Sequence, residues 1–484
     1  MKKKILLFLF VFLSFILLCY PLFLQKTFGN VSFEQVIFHL VNPLKGTDIR
    51  LYYKGFGYAF FLPLFLTFLY MYPSWFVPKK FKGKIGKWQK SKWQARCSIL
   101  LFISSIVFQF YVLHIYQWYY GRMHPTTLFR DHYIEQKSED ITFNEKRNAI
   151  IIYLESMEKT YADTTVFDKN YIPELTKLAD QNVSFDRFYQ FPGTQWTIAG
   201  LVNGMCGIPL RIPMNGVRLD LFKTFLPSAV CVPEILKDHG YNTGIIIGSQ
   251  LKFSGLDNLV SQHGFDKYWG SKEIQKEKGD MSIKERGHGW GYNDDAMFEF
   301  SKEKITLAAN ENKPFFYVLM TIDTHYPNAY FNPNICVHKE NNFTDIASCS
   351  SALVNRFVDW IKAQPFAKDT AIVIVGDHIT HGNDVYDTMS KTQNRQVINI
   401  FMNGSKKPVK ETGRHFGTFD FAPSILSFMG ANLPKDAFGL GRDLFSATPT
   451  LTESMSVEEM GTELGKYSPE YQKFFLPRAG KTKQ

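Results

Sequence analysis

The segment Asn148-Ala149-Ile150-Ile151-Ile152-Tyr153-Leu154-Glu155-Ser156 decides the fold. Ala149–Leu154 is apolar throughout, which suits a strand buried on both faces better than one alternating between core and solvent. It stops abruptly at an acidic residue. Thr243–Ile247, Phe315–Met320 and Ala371–Val375 are similar β-branched or aromatic runs. Helical candidates lie between them at Ile172–Gln181, Pro233–His239, Ala296–Asn310 and Ser351–Ala363. Alternation of this kind predicts an α/β domain with a doubly wound sheet. In such sheets ligands bind beyond the carboxyl ends of the strands. Three of the four runs end in suitable groups: Glu155-Ser156 after the first, Thr321-Ile322-Asp323-Thr324-His325 after Phe315–Met320, and Gly376-Asp377-His378 after Ala371–Val375. Carboxylate oxygen and imidazole nitrogen gathered at one sheet edge form the donor set of a divalent metal.

Outward from these ends, Gly193-Thr194-Gln195-Trp196-Thr197-Ile198-Ala199-Gly200 places a hydroxyl, Thr197, just ahead of a small-residue segment suited to starting a helix. A helix N-terminus offers free N–H groups and a positive dipole end to a phosphate. An ordinary helix cap is the plainer reading of the same threonine.

The first 120 residues are of another kind. Of the 45 phenylalanines in this 484-residue chain, the excess lies there. Uncharged apolar stretches at Ile5–Leu24, Phe56–Val77 and Cys97–Tyr120 are each long enough to cross a hydrocarbon core of roughly 30 Å. Lys2, Lys3 and Lys4 resemble the start of a signal peptide, but the apolar run is too long and lacks a small-x-small cleavage site, so a retained helix is expected. Between the second and third spans, Lys79, Lys80, Lys82, Lys84, Lys87, Lys90, Lys92 and Arg96 occur without an acidic residue. That loop and the N-terminus are therefore assigned to the cytoplasm, and everything after about Arg122 to the other side. The expected organisation is a three-helix membrane anchor over 1–122, a polar linker over 123–145, a catalytic domain over 146–450 and a polar tail over 451–484. The formal charge of +10 is then chiefly a topology signal, and no nucleic-acid site is read from it. Cys206, Cys231, Cys336 and Cys349 lie in the exported part, where two disulfides are expected; adjacent pairing is the simplest of three connectivities, and four buried free thiols are the alternative.

The phrases "NAIIIYLES", "FPGTQWTIAGLVNGMCGIPL", "DTHYP" and "IVIVGDH" resemble, in order and spacing, the alkaline phosphatase/sulfatase superfamily and within it the lipoteichoic-acid-synthase-like branch. The block around Thr197, with "HGYNTGIIIGSQLKFSGLDNLVSQHGFDKYWG", is most similar to the phosphoglycerol transferases, over roughly residues 146–445. The resemblance implies that Glu155, Thr197, Asp377 and His378 hold one divalent cation, Mn²⁺ before Zn²⁺ or Mg²⁺. It makes Thr197 the nucleophile and His325 a stabiliser of the transferred or leaving group. Where the branch carries an arginine segment for phosphate and glycerol, this chain has Gln250–Gly255, so Lys252, with His263 and Trp196, is assigned to substrate binding. Trp290 stacks on a sugar ring or simply packs. The sulfatase C-x-P-x-R signature fails in Cys206-Gly207-Ile208-Pro209-Leu210-Arg211, where Pro and Arg each fall one residue late.

The expected function is thus transfer of phosphoglycerol from phosphatidylglycerol to a periplasmic glucan through a covalent threonine intermediate, by an inner-membrane enzyme. A phosphoethanolamine transferase acting on lipid A or a surface glycan is the nearest alternative, and a non-catalytic sensor retaining the fold is the other.

Overall fold

A computed structural model describes residues 2–29, 31–41, 49–81, 83, 92–212, 224–279, 290–327, 329–333, 335–336 and 342–476. Lys82, Lys84, Lys87 and Lys90 of the basic loop lie outside the described residues. The chain divides into two compact units, one of residues 1–36 and 48–120, the other of residues 37–47 and 121–484.

Its first helices are α1 (Lys2–Phe28), α2 (Phe33–Val41), α3 (Ile49–Met71) and α4 (Lys92–Val112). Three of them, α1, α3 and α4, are long and apolar enough to cross a membrane. Their limits differ from the apolar runs for backbone reasons. Helix α3 begins within the tyrosine-rich segment before Phe56 and stops ahead of Pro73, since a proline disfavours helical geometry in the residue before it. Helix α4 ends where His114 takes a left-handed φ of 51°, and a separate helix, Ile115–Met123, follows.

The second unit is built on six strands: β1 (Asn148–Leu154), β2 (Asn242–Ile247), β3 (Lys267–Trp269), β4 (Phe315–Met320), β5 (Thr370–Gly376) and β6 (Asn399–Met402). They lie in the order β3-β2-β4-β1-β5-β6, parallel except for the antiparallel edge strand β6. The two edge strands β3 and β6 were not among the sequence candidates: at three and four residues they give no periodicity to read. Around the sheet lie α5 (Pro173–Asp180), α6 (Thr197–Cys206), α7 (Val232–Asp238), α8 (Asp294–Ala309), α9 (Phe343–Lys362), α10 (Phe421–Phe428), α11 (Val457–Gly465) and α12 (Pro469–Phe475). Ile151 and Tyr153 of β1 face one core with α6, α7 and α10, and Ile150, Ile152 and Leu154 face the other with α5, α8 and α9. This alternation within an unbroken apolar run is what two covered faces require, and each isoleucine so buried contributes roughly 1.5–3 kcal/mol.

Helix α9 starts eight residues before its sequence estimate of Ser351, because the Asn342 side chain accepts from the Asp345 amide and caps it. Residues 123–145, expected as a linker, contribute the short helix Leu128–His132, buried Leu128 and Phe129, and a strand pairing Thr142–Phe143 with Ala431–Asn432. Residues 451–476 of the expected polar tail are likewise folded. Met460 with Leu464, and Tyr471 with Phe475, are buried i,i+4 pairs whose apolar faces are diluted by polar neighbours in composition. Ser456 and Ser468 cap their helices. Disulfides join Cys206 to Cys231 and Cys336 to Cys349, the adjacent pairing.

Candidate active site

Strand β1 sits between β4 and β5, with Tyr153 level with Met320 and Leu154 level with Gly376. The three ligand-bearing ends therefore emerge side by side. The Glu155 amide donates to Thr321 Oγ1 (2.9 Å), Thr324 Oγ1 donates to the Glu155 carbonyl (2.5 Å), and the Asp377 amide donates to the Leu154 carbonyl (3.2 Å). Ser156 holds a left-handed φ of 53°, which aims its amide at Asp377 Oδ1 (2.8 Å) while its hydroxyl donates to Glu155 Oε1 (2.8 Å). Strained geometry of this kind persists only where several contacts over-determine it.

Ligand atoms of Glu155, Asp377 and His378 lie within 4.8 Å of one another, and all three residues are buried. Asp377 Oδ1 accepts from the Ser156 and His378 amides, at 2.8 Å each. Its Oδ2 is buried and accepts no hydrogen bond from a described residue, which leaves an open acceptor. His378 Nδ1 donates to the Ile379 carbonyl (2.9 Å), which turns Nε2 toward Asp377 Oδ2 (3.4 Å) and Glu155 Oε1 (3.6 Å). Fixing one ring nitrogen on a carbonyl is how a metal-ligating imidazole is oriented. Two carboxylates, one aimed imidazole and an open carboxylate oxygen fit a divalent cation.

Thr197 joins this cluster from the facing helix. Trp196 is extended (φ −147°, ψ 160°) and α6 begins at Thr197, whose Oγ1 donates to Glu155 Oε2 (3.1 Å). Every other residue of α6 is buried, so Thr197 alone of that helix retains access to solvent. Gly200, one turn on, packs against the Asp377 backbone, where a Cβ would stand 3.0 Å from the carbonyl carbon.

The electrostatics follow from burial and crowding. Burial alone would raise Glu155, but His325 and His378 with the Ser156 and Thr197 hydrogen bonds hold it below the usual range. Asp377 is pushed up to about 7 by burial and by Glu155. His378 is raised: burial opposes its charge, but Asp377 and Glu155 outweigh it.

His325 is half-buried and packs on Trp290 (centroids 4.2 Å) and Phe253 (5.9 Å), near enough to Glu155 for their charges to interact. Trp290 is buried and donates to the Pro327 carbonyl (2.7 Å), so it packs and supports His325 instead of presenting a face to a sugar. Lys252 is exposed on the loop whose next residue, Phe253, touches His325. Trp196 is buried beside Thr197, and its Nε1 bonds to no described residue. His263 stands apart from this group. It is buried, with Nε2 against the Phe225 carbonyl (2.9 Å) and Nδ1 near Glu234 (3.3 Å), which is the geometry of a structural histidine. Cys231 and Glu234 lie close to it, but Cys231 is spent in a disulfide. One neighbour was not singled out in the sequence. His381 stacks on His378 (5.3 Å) and bonds through Nε2 to the Gln195 carbonyl, tying the turn before Thr197 to the β5 loop. Burial, then the His378 charge, pushes it down to about 3. Its position three residues after His378 in Gly376–Gly382 was the available signal.

The sulfatase family model matches residues 147–431, more than half of the chain. The chain belongs to the sulfatase family. Within the family it is 32% identical over 323 residues to phosphoglycerol transferase I of Salmonella arizonae, and 31% identical to that of Salmonella typhimurium, an overlap of 65% of this chain in each case. It spans 41% of the length of these relatives. A solved protein of the alkaline phosphatase superfamily from Vibrio parahaemolyticus superposes with a TM-score of 0.51 at 19% identity, covering 66% of this chain and 74% of the other. The lipoteichoic acid synthase LtaP of Listeria monocytogenes gives 0.50 at 15%, covering 64% and 80%. These establish the sulfatase fold. Cys206, at which the C-x-P-x-R spacing fails, lies at the far end of α6 in a disulfide with Cys231.

Proposed function

We propose that this chain is a membrane-anchored phosphoglycerol transferase that moves the headgroup of phosphatidylglycerol to a periplasmic glucan or related glycan. The observation that carries the reading is the Thr197 hydroxyl, accessible at the start of a buried helix and bonded to the Glu155–Asp377–His378 cluster. The name shared by the Salmonella relatives supports phosphoglycerol as the transferred group. Three apolar helices support a donor drawn from the bilayer, because tethering raises the effective concentration of lipid at the site.

Glu155, Thr197, Asp377 and His378 would hold one divalent cation, Mn²⁺ first. When bound, such a cation favours the alkoxide of a coordinated hydroxyl and neutralises charge on phosphoryl oxygens. In the first step Thr197 Oγ1 attacks the lipid phosphorus. The Oγ1–P bond forms as Thr197 gives up its proton to the site, the P–O bond to diacylglycerol breaks, and the leaving oxygen takes a proton from the site, His325 being the group assigned to that exchange. In the second step a sugar hydroxyl attacks the same phosphorus, its proton passes to the site, and Thr197 leaves and is reprotonated. The N-terminus of α6 favours the anionic phosphate throughout.

Intact-mass measurement on the full chain after exposure to phosphatidylglycerol tests the reading. A phosphoglycerol adduct on Thr197 is expected, and Thr197→Ala abolishes both adduct and diacylglycerol release while remaining folded. Diacylglycerol release by the purified alanine variant would sink the assignment. A phosphoethanolamine adduct from phosphatidylethanolamine, with none from phosphatidylglycerol, would move the protein to the other headgroup class.

A further inference from the structure

Residues 37–47 lie in sequence between the first two membrane-spanning helices, yet they belong to the same compact unit as the catalytic sheet. The described part of that stretch is the second half of α2. Phe38 is 1% exposed and is a member of the core that contains α6. Its ring meets Trp196, the residue before Thr197, at 5.7 Å between centroids. His39 follows directly, its ring 5.4 Å from Phe38 and perpendicular to it, partly buried. It lies close enough to His325 for the two imidazoles to interact electrostatically. His39 is half-buried and makes no hydrogen bond to a described residue, and alongside it Trp196 Nε1 is buried without one. Burial, then the neighbouring His325, pushes His39 down to about 4, so it stands neutral at ordinary pH with one N–H to donate and one lone pair to accept.

A half-buried neutral imidazole and a buried indole N–H, both without a hydrogen bond among the described residues and flanking Phe38 next to Thr197, are an arrangement that a polar ligand completes, since a buried group such as the indole N–H is normally bonded. The charge-based orientation independently places the stretch between spans one and two on the same side of the membrane as the catalytic domain. We propose that His39 is a binding residue for the lipid donor: it hydrogen-bonds the phosphoglycerol headgroup beside His325, so that the stretch between the first two spans supplies part of the headgroup site. This rests on the donor reading given above. A headgroup offers both partners that a neutral histidine needs, hydroxyl donors on the glycerol and acceptor oxygens on the phosphate. The role is one of holding the donor; the bonds made and broken at phosphorus are unchanged.

The test uses the full chain in detergent micelles containing phosphatidylglycerol at graded mole fractions, following adduct formation on Thr197. His39→Leu removes both hydrogen-bonding atoms while keeping bulk, and His39→Asn keeps a donor and an acceptor. Loss of one hydrogen bond of ordinary strength raises the half-saturating lipid fraction about three- to tenfold for the leucine variant, with little change in maximal rate. The asparagine variant recovers most of the difference. Half-saturation of the leucine variant at the wild-type fraction, or equal impairment of both variants, overturns the proposal. Should the leucine variant fail to fold, a phosphatidylglycerol analogue with a photoreactive headgroup carries the test on wild type: label on residues 37–41 is expected, and its absence overturns the assignment. If wild type itself forms no adduct, the donor reading fails instead, and the two failures are told apart.

Discussion

Replacing Gly200 with alanine adds one methyl group, changes no side chain of the site and removes no hydrogen bond. A Cβ there would overlap the Asp377 carbonyl oxygen and stand 3.0 Å from its carbon, with the Asp377 Cα at 3.3 Å. These are backbone atoms at the end of a central strand and have no rotamer by which to retreat. Restoring ordinary contact distances of 3.4–4 Å requires α6 to move away from β5 by about 1 Å, at a cost of about 1–3 kcal/mol for overpacking a full core. Thr197 lies one turn earlier on the same helix, so the displacement reaches its bond to Glu155. A misplacement of about 1 Å at a reacting group costs on the order of a hundredfold in rate. The expected phenotype is a folded protein with a melting temperature lowered by a few degrees and adduct formation slowed about a hundredfold. Calorimetry and timed intact-mass spectra on the full chain measure both. A Gly200→Ala variant with wild-type melting and wild-type labelling would refute the idea that the α6–β5 approach sets the position of the nucleophile.

Three other outcomes are expected. Asp377 sits at about 7 in the cation-free site, and His378 is held above its ordinary value. Both must be proton-free to bind a cation, so Mn²⁺ affinity falls at least tenfold per unit as pH drops below about 7 and levels off only at a pH where His378 is neutral as well; isothermal titration in buffers of different ionisation enthalpy would show matching proton release, and a pH-independent affinity would contradict the cluster. Ser156→Gly relieves a left-handed φ worth about 1–2 kcal/mol but loses the bond to Glu155, so unfolding free energy shifts by less than about 1 kcal/mol. Cation affinity drops all the same, as titration would show. Tyr471→Phe strands the Pro209 carbonyl, to which Tyr471 Oη donates at 2.8 Å, and the Arg211 amide, which donates to it at 3.0 Å; denaturant melts should register a loss of about 1–3 kcal/mol.

The inner strands of the sheet were readable because strands covered on both faces need unbroken apolar runs, and β1, β2, β4 and β5 have them. Glu155, Asp377 and His378 could be read for a local reason: each follows its strand within two residues. His381 was harder to read, because its meaning lies in a carbonyl 186 residues away. His263 carried a ligand-type side chain that the fold turns inward to Phe225, and nothing in its flanking residues announces that partner. His39 is the extreme case. It sits in a stretch that sequence treats as a connection between spans, and its neighbour Phe38 packs against Trp196 within the same compact unit as the sheet.

The segment once expected to trail as a polar tail has a consequence for how the protein is made. Tyr467 donates its amide to the Gly121 carbonyl and accepts from the Thr126 amide, and Thr126 also donates through its hydroxyl to Glu463, 337 residues further along. Thr126 is therefore gripped by a residue made 337 positions later in the chain. Until that late segment is synthesised, the Gly121–Thr126 backbone lacks these partners, and the Pro209–Arg211 segment beyond α6 lacks its tyrosine. These contacts close only once residues 463–471 have been made, so a chain truncated before Glu463 should leave both the Gly121–Thr126 backbone and the Pro209–Arg211 segment open to proteolysis.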